Sequence, residues 1–351
     1  VIRKQTRSKP IREATMRKDP APGDRFRQVA RRALALALCW ALGSLWPALA
    51  QVGEAYPGKP IRLIVPFAPG GGTDILARSL APRLGAALAG TVVVENRPGA
   101  GGNLGVELVA RSAPDGYTLV MVSASFAVNA SYQPLRFDPI RDLAPVAQIA
   151  TVPLVLLARS TLPVADLRAL IALARQRPDS LTYASSGIGS SPHLAGELFV
   201  SATGTRMTHV PYKGGAPALS DLLGGQVDLL FSTVVQGLPH VQAGKVKPLA
   251  VASLARSKSL PDVPTIDESG YSGFDVTNWF GVLAPAGLPA GLLASLNGHI
   301  RAQLDAPELR KRLESEGAEP RGSSPEEFAQ LIASDIRKYT QAVKAAGITA
   351  Q

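Results

Sequence analysis

The chain has 351 residues, 46% of them hydrophobic and 18% charged, which is too long for one ordinary domain and too apolar for a disordered one. Its net charge of +10 suggests a nucleic-acid binder until it is divided: the first 50 residues hold 11 Lys+Arg against 3 Asp+Glu, leaving 26 against 24 for the rest. Nucleic-acid binding needs clustered charge on the folded domain, so this near-neutral remainder argues against it.

The leader reads as a secretory signal. Arg25, Arg27, Arg31 and Arg32 close a basic segment, and residues 33–46 form an apolar run too short to span a bilayer. Ala48-Leu49-Ala50 is a small-x-small cleavage site, which makes Gln51 the expected N-terminus of an exported mature protein. The single cysteine, Cys39, lies inside the apolar run. Its removal leaves no thiol for disulfides, nucleophilic catalysis or metal binding.

Residues 61–65 read as a buried strand, and 75–81 as a helix. Between them stands Pro66-Phe67-Ala68-Pro69-Gly70-Gly71-Gly72-Thr73-Asp74. A strand, a glycine-rich turn and a helix aim bare N–H groups and the positive end of a helix dipole at one point. This turn is the first candidate anion site. Residues 91–94 form a second strand. The glycine-rich segment after it fails the dinucleotide fingerprint, because Leu104 stands at the third glycine position. A strand over 117–122 ends in Ser123-Ala124-Ser125, and further strands follow at 146–149 and 152–158.

A second α/β unit begins near residue 160. A helix over 167–175 precedes a strand over 181–184, which opens into Ser185-Ser186-Gly187-Ile188-Gly189-Ser190-Ser191-Pro192-His193. Ser191 reads as N-cap and Pro192 as the first helical residue. This repeats the opening arrangement, with hydroxyl and N–H donors suited to a second carboxylate. Strands at 207–210, 226–231 and 248–253, and a helix over 216–223, complete the unit. Residues 278–285 read as a strand crossing back to the first unit. Three helices, at about 290–304, 307–316 and 325–345, end the chain, the last opened by the capping box Ser324-Pro325-Glu326-Glu327.

Alternating strands and helices predict α/β domains, each a mainly parallel sheet flanked by helices, with ligands beyond the carboxyl ends of the strands. The division expected is 51–158 plus 280–351 for the first domain and 159–279 for the second, with the cleft between them.

Five motifs in order, Pro66-Phe67-x-Pro-Gly-Gly-x-x-Asp74, Glu95-Asn96-Arg97-x-Gly-Ala-Gly-Gly, Pro114-Asp115-Gly116-Tyr117-Thr118-Leu119, Val210-Pro211-Tyr212-Lys213-Gly214 and Trp279-Phe280-Gly281, resemble the substrate-binding receptors of tripartite tricarboxylate transporters, the Bug-type receptors. The resemblance runs from about Tyr56 to the C-terminus. It implies a two-domain periplasmic binding protein of type II-like build, joined by two crossover strands. It further implies a monomer that binds di- or tricarboxylates or acidic amino acids for a membrane permease, with no catalysis and no cofactor. It places ligand contacts at 70–74, 123–125 and 185–193, and near Asp228.

The candidate ligand-binding residues are therefore Phe67, Gly70, Gly71, Gly72, Thr73, Asp74, Ser123, Ser125, Ser185, Ser186, Gly187, Gly189, Ser190, His193 and Asp228. Asp74 near a helix N-terminus also has a purely structural use. Phe67 either packs or walls the site, and Tyr212 and Lys213 either rim the cleft or shape their loop. His209, His240 and His299 show no metal-ligand spacing. Two alternatives are a secreted hydrolase using Ser190 and His193, and the input domain of a two-component sensor. The hydrolase lacks a G-x-S-x-G elbow and a recognisable acid.

Overall fold

A computed structural model describes residues 56–348, and Arg27 alone before them. The basic leader, its apolar run and the cleavage site after Ala50 lie outside the described residues.

Two sheets organise the described chain. The first contains β1 (Ile61–Val65), β2 (Val92–Asn96), β3 (Thr118–Ser123), β4 (Leu143–Val152), β10 (Asn278–Pro285) and β11 (Glu319–Pro320), in the order β11-β4-β10-β3-β1-β2. The second contains β5 (Leu154–Arg159), β6 (Thr182–Ser185), β7 (Thr208–Pro211), β8 (Leu229–Thr233) and β9 (Val246–Val251), in the order β7-β6-β8-β5-β9. Both sheets are mixed rather than mainly parallel. The strands joined through helices run parallel, β1 with β2 and β3, and β6 with β7 and β8. The strands adjoining the crossings between sheets run the other way. β10 is antiparallel to β3 and β4, and β5 to β8 and β9.

The chain passes from β4 to β5 through Pro153 alone, which has no N–H to contribute to either ladder. It returns over residues 276–278. The Val276 N–H still bonds Ala252 of the second sheet's side, while Asn278 already pairs with Val152 of the first.

In the first lobe, α1 (Gly72–Ala87), α2 (Asn103–Ala110) and α3 (Ser125–Tyr132) follow β1, β2 and β3. In the second lobe, α4 (Leu167–Gln176) is followed by α5 (Ser191–Thr203), α6 (Gly215–Leu223) and α7 (Val234–Gln242), which leave β6, β7 and β8. The C-terminal helices α8 (Ala290–Asp305), α9 (Pro307–Ser315) and α10 (Pro325–Ala345) return to the first lobe. The expected capping box is present: Ser324 Oγ accepts from the Glu327 N–H, and the Glu327 carboxylate accepts from the Ser324 N–H. α10 docks through Phe328, edge-on to Trp279 at 5.3 Å, and through Asp335, which accepts from Trp279 Nε1 at 2.7 Å. Trp279 is therefore a packing residue.

Two helices, α3 and α7, have no counterpart in the sequence reading. α3 buries Ser125, Phe126, Ala127, Val128, Asn129 and Tyr132, which is most of its surface, so it carries no polar stripe to reveal a helical period. α7 is buried over Val234–Leu238 and contains Gly237 and Pro239, both poor helix signals.

Candidate functional site

Five helices start at the carboxyl ends of strands and converge between the two sheets. They are α1 and α3 from the first lobe and α5, α6 and α7 from the second. Each contributes to the wall of one cavity of about 30 Å³: Gly71, Gly72 and Thr73 from α1, Ser125 from α3, Ser191 and Pro192 from α5, Gly215 from α6, and Thr233 and Gln236 from α7. Phe67, Ser123, Ser186, Asn278 and Phe280 complete it. No lining residue is charged. The positive ends of five helix dipoles meet at this uncharged wall, a setting that stabilises a negative group; the one acid in their first turns, Asp74 of α1, is not on the wall and is bonded to Arg78, Asn96 and the Gly70 N–H.

Two wall groups lack any partner. Thr233 Oγ1 and Gln236 Nε2 are buried and make no hydrogen bond, although their residues are only 8% and 6% exposed. An unpaired buried donor is unfavourable by about 1–3 kcal/mol, so it marks a place where something else supplies the acceptor. Three other polar wall groups, Ser125, Ser191 and Asn278, are tied to one another. Ser125 Oγ accepts from the Ser191 N–H at 2.9 Å, Ser191 Oγ donates to Asn278 Oδ1 at 3.3 Å, and that same oxygen accepts from the Ala124 N–H at 3.1 Å. At the cleft rim the Ala68 N–H donates to the Lys213 carbonyl at 3.0 Å. The lobes are in contact, and the cavity is enclosed between them.

Of the sequence candidates, the fold brings Phe67, Gly71, Gly72, Thr73, Ser123, Ser125 and Ser186 to the cavity. Gly187 stands just outside it, on an open vestibule of about 350 Å³. The others take supporting positions. Gly70 has φ +83° and donates its N–H to Asp74 Oδ2 at 2.9 Å. Asp74 is 3% exposed and also accepts from Arg78 Nε and Asn96 Nδ2, both at 2.9 Å. Asn96 donates as well to the Phe67 carbonyl. Asp74 thus ties the turn, the helix and β2 together, and it is not among the residues that line the cavity. Burial raises its pKa, but the bonds from Arg78, Gly70 and Asn96 outweigh that and leave it lowered. Asp74→Ala strands three donors, so it is expected to destabilise the protein by about 3 kcal/mol, measured by urea denaturation.

Asp228 likewise lies away from the cavity. It precedes β8, whereas the cavity lies at the other end of that strand, at Thr233. Its carboxylate accepts from Arg159 Nε at 2.8 Å and from the Thr182 N–H at 2.9 Å, pinning β8 to its neighbours. Ser190, not Ser191, is the N-cap of α5, its Oγ accepting from the His193 N–H at 3.3 Å. Ser185 is fully buried and bonds His209 Nε2 through its Oγ at 2.7 Å. His193 is 2% exposed, and its Nδ1 accepts from the Gly189 N–H at 3.3 Å. Ser185, Gly189, Ser190 and His193 therefore shape the loop from behind. The Ser190 hydroxyl accepts from backbone, and Ser190 is not among the residues that line the cavity.

Behind that loop the His193 and His209 rings lie tilted to each other with centroids 4.3 Å apart, and His209 stacks on Tyr183 at 4.9 Å. Tyr132 meets His193 edge-on. Glu197 accepts from the Tyr183 hydroxyl and lies 3.7 Å from His193 Nε2. Burial pushes the His209 pKa down to about 3, helped by the His193 charge, and burial lowers His193 as well against the pull of Glu197. Both histidines take up protons more readily when unfolded. Their contribution to stability is present above about pH 6.5 and is lost as pH falls toward the folded value. For His209 the loss reaches about 2 kcal/mol by pH 5. A fall in Tm of several degrees between pH 7 and pH 5, flattened in His209→Gln, is the expected calorimetric result.

Gly215, Thr233, Gln236, Asn278 and Phe280 are wall residues that the sequence reading did not select. Gly214-Gly215 before α6 repeats the strand–glycine–helix pattern and was the available signal; the Thr233 end of β8 offered no glycine.

A two-lobed α/β shell with helix N-termini facing one another across an interlobe cavity is the build of a periplasmic binding protein. Over residues 76–348 the chain matches the tripartite tricarboxylate transporter family receptor, TctC. It is 40% identical over 297 residues to protein BugT of Bordetella pertussis, which spans 84% of this chain and 91% of that one. Among solved structures it is similar to R. palustris Rpa4515 with adipate, at TM-score 0.81 and 38% identity over 84% of this chain and 99% of that one. It is similar also to MatC (Rpa3494) from Rhodopseudomonas palustris with bound malate, at TM-score 0.79 and 35% identity over 82% and 100%. The chain belongs to the tripartite tricarboxylate transporter receptor family.

Proposed function

We propose that this protein is a periplasmic receptor that closes its two lobes around one carboxylate of a small organic acid and delivers it to the permease subunits of a tripartite transporter. The observation that carries this reading is the cavity itself. Five helix N-termini and two unpartnered buried groups, Thr233 Oγ1 and Gln236 Nε2, converge on a space with no charged wall residue. Neutral donors suit a carboxylate, whereas a phosphate cluster would call for local Arg and Lys. Relatives with bound adipate and malate support the same ligand class.

In this reading the protein is a monomer without catalytic activity, exported by a signal cleaved after Ala50. The domains are 51–158 with 280–351, and 159–279, and the lobes open about the crossings at Pro153 and 276–278. Two crossings side by side leave a hinge as the natural motion. The test is a thermal-shift panel of mono-, di- and tricarboxylates and acidic amino acids on the protein from Gln51. An acid at ~100 times its Kd should add about 2.7 kcal/mol of stability. If no acid in the panel raises Tm, the reading fails.

A further inference from the structure

We infer that Lys213 selects ligands carrying a second carboxylate at the end remote from the cavity, an inference that rests on the receptor reading above. The cavity of about 30 Å³ has room for little more than one acid head. The remainder of any longer ligand has to leave it. Phe67 and Ser186 line both the cavity and the open vestibule of about 350 Å³, so the way out passes between them.

One wall of the vestibule is the loop 99–102, in which all four residues have positive φ and three are glycine, so it presents mainly backbone. The facing wall holds Gly187, Ile188, Tyr212 and Lys213. Among the described residues, Lys213 is the only charged one on the vestibule. Its main chain is fixed, since its carbonyl accepts the Ala68 N–H across the cleft. Its neighbour Tyr212 is fixed too, by donation to Asp221 Oδ2 at 2.6 Å. The Lys213 ammonium itself is exposed and has no hydrogen bond or ion pair among the described residues, and no carboxylate lines the vestibule to neutralise it. A lysine whose main chain is fixed on the vestibule of an anion cavity, with no counter-ion among the described residues, is complementary to an acid with a second negative end. A monoacid of equal length would gain nothing there.

The experiment is calorimetric titration of straight-chain diacids of four to eight carbons against monoacids of matching length, using wild type, Lys213→Met and Lys213→Arg. Wild type is expected to favour at least one diacid over its matched monoacid. Lys213→Met should lose about tenfold in affinity for that diacid, the scale of one partly exposed charged hydrogen bond, while the monoacid changes less than about twofold. Lys213→Arg should keep the preference, and raising salt from 20 to 300 mM should shrink it. A diacid-to-monoacid ratio unmoved by Lys213→Met, or absent in wild type while acids still bind, overturns the assignment and leaves the receptor reading intact. Failure of every acid to bind wild type overturns both.

Discussion

Gly72→Ala is expected to reduce ligand affinity by about 100-fold or more while leaving the fold intact. A methyl at residue 72 would stand 2.5 Å from Thr233 Oγ1, 3.1 Å from its Cγ2 and 3.2 Å from its Cβ. Gly72 opens α1 in the first lobe and Thr233 ends β8 in the second, so the collision exists only while the lobes are closed. Alanine suits the first position of a helix better than glycine does, so Tm without ligand should hold or rise slightly. The variant therefore acts on the closed population, and a ligand must overcome that penalty before it is held. Isothermal titration gives the affinity, and small-angle scattering should show a larger radius of gyration with acid present than wild type shows. Adding Thr233→Ala removes the two nearest colliding atoms and should restore part of the closure. A Gly72→Ala protein that binds like wild type would mean the ligand does not need these two surfaces in contact.

Thr233→Val should move stability and affinity in opposite directions. The two side chains are nearly the same shape, and the threonine hydroxyl has no partner in the protein. Replacing an unsatisfied buried hydroxyl with a methyl is expected to add about 1 kcal/mol to the ligand-free protein, or a rise of roughly 2–4 °C in Tm. The same change should weaken acid binding by about tenfold or more, because a hydrogen bond to a charged group contributes about 1.5–3 kcal/mol. Gln236→Met should behave alike, although its Oε1 accepts a weak bond from Ser232 at 3.4 Å, so its gain in stability is smaller. The two sites are neighbours in one cavity, and their effects on affinity should not add. A residue that served only packing would lose or keep both quantities together.

The sequence made the first wall legible because its signal is local. Consecutive glycines between an apolar strand and a helix leave few physical uses, and Gly71, Gly72 and Thr73 do line the cavity. The Ser185–His193 loop was legible as a region but not residue by residue. Whether a serine faces a ligand or a supporting histidine depends on backbone turns such as that at Gly187, where φ is +121°. Asp228 entered through the family resemblance and not through a local pattern. The strand read over 226–231 runs instead from Leu229 to Thr233 as β8, which puts Thr233 at the cavity end and leaves Asp228 before the other. Helix α7 then begins with Val234-Val235, which continue the apolar run of β8, and its Gly237 and Pro239 argue against a helix rather than for one. Asp74 looked like a helix-dipole acid or a ligand contact. Its tertiary bond to Asn96, 22 residues away, is what makes it structural, and no local pattern announces that.

The central claim is that a carboxylate sits between the two lobes on uncharged donors. A crystal structure of the protein with the tightest-binding acid from the panel tests it most directly. One carboxylate group is expected inside the cavity, within hydrogen-bond distance of Thr233 Oγ1 and Gln236 Nε2 and of N–H groups from the starts of α1 and α6. An acid found held by charged side chains elsewhere, with Thr233 and Gln236 still unpartnered, would contradict it.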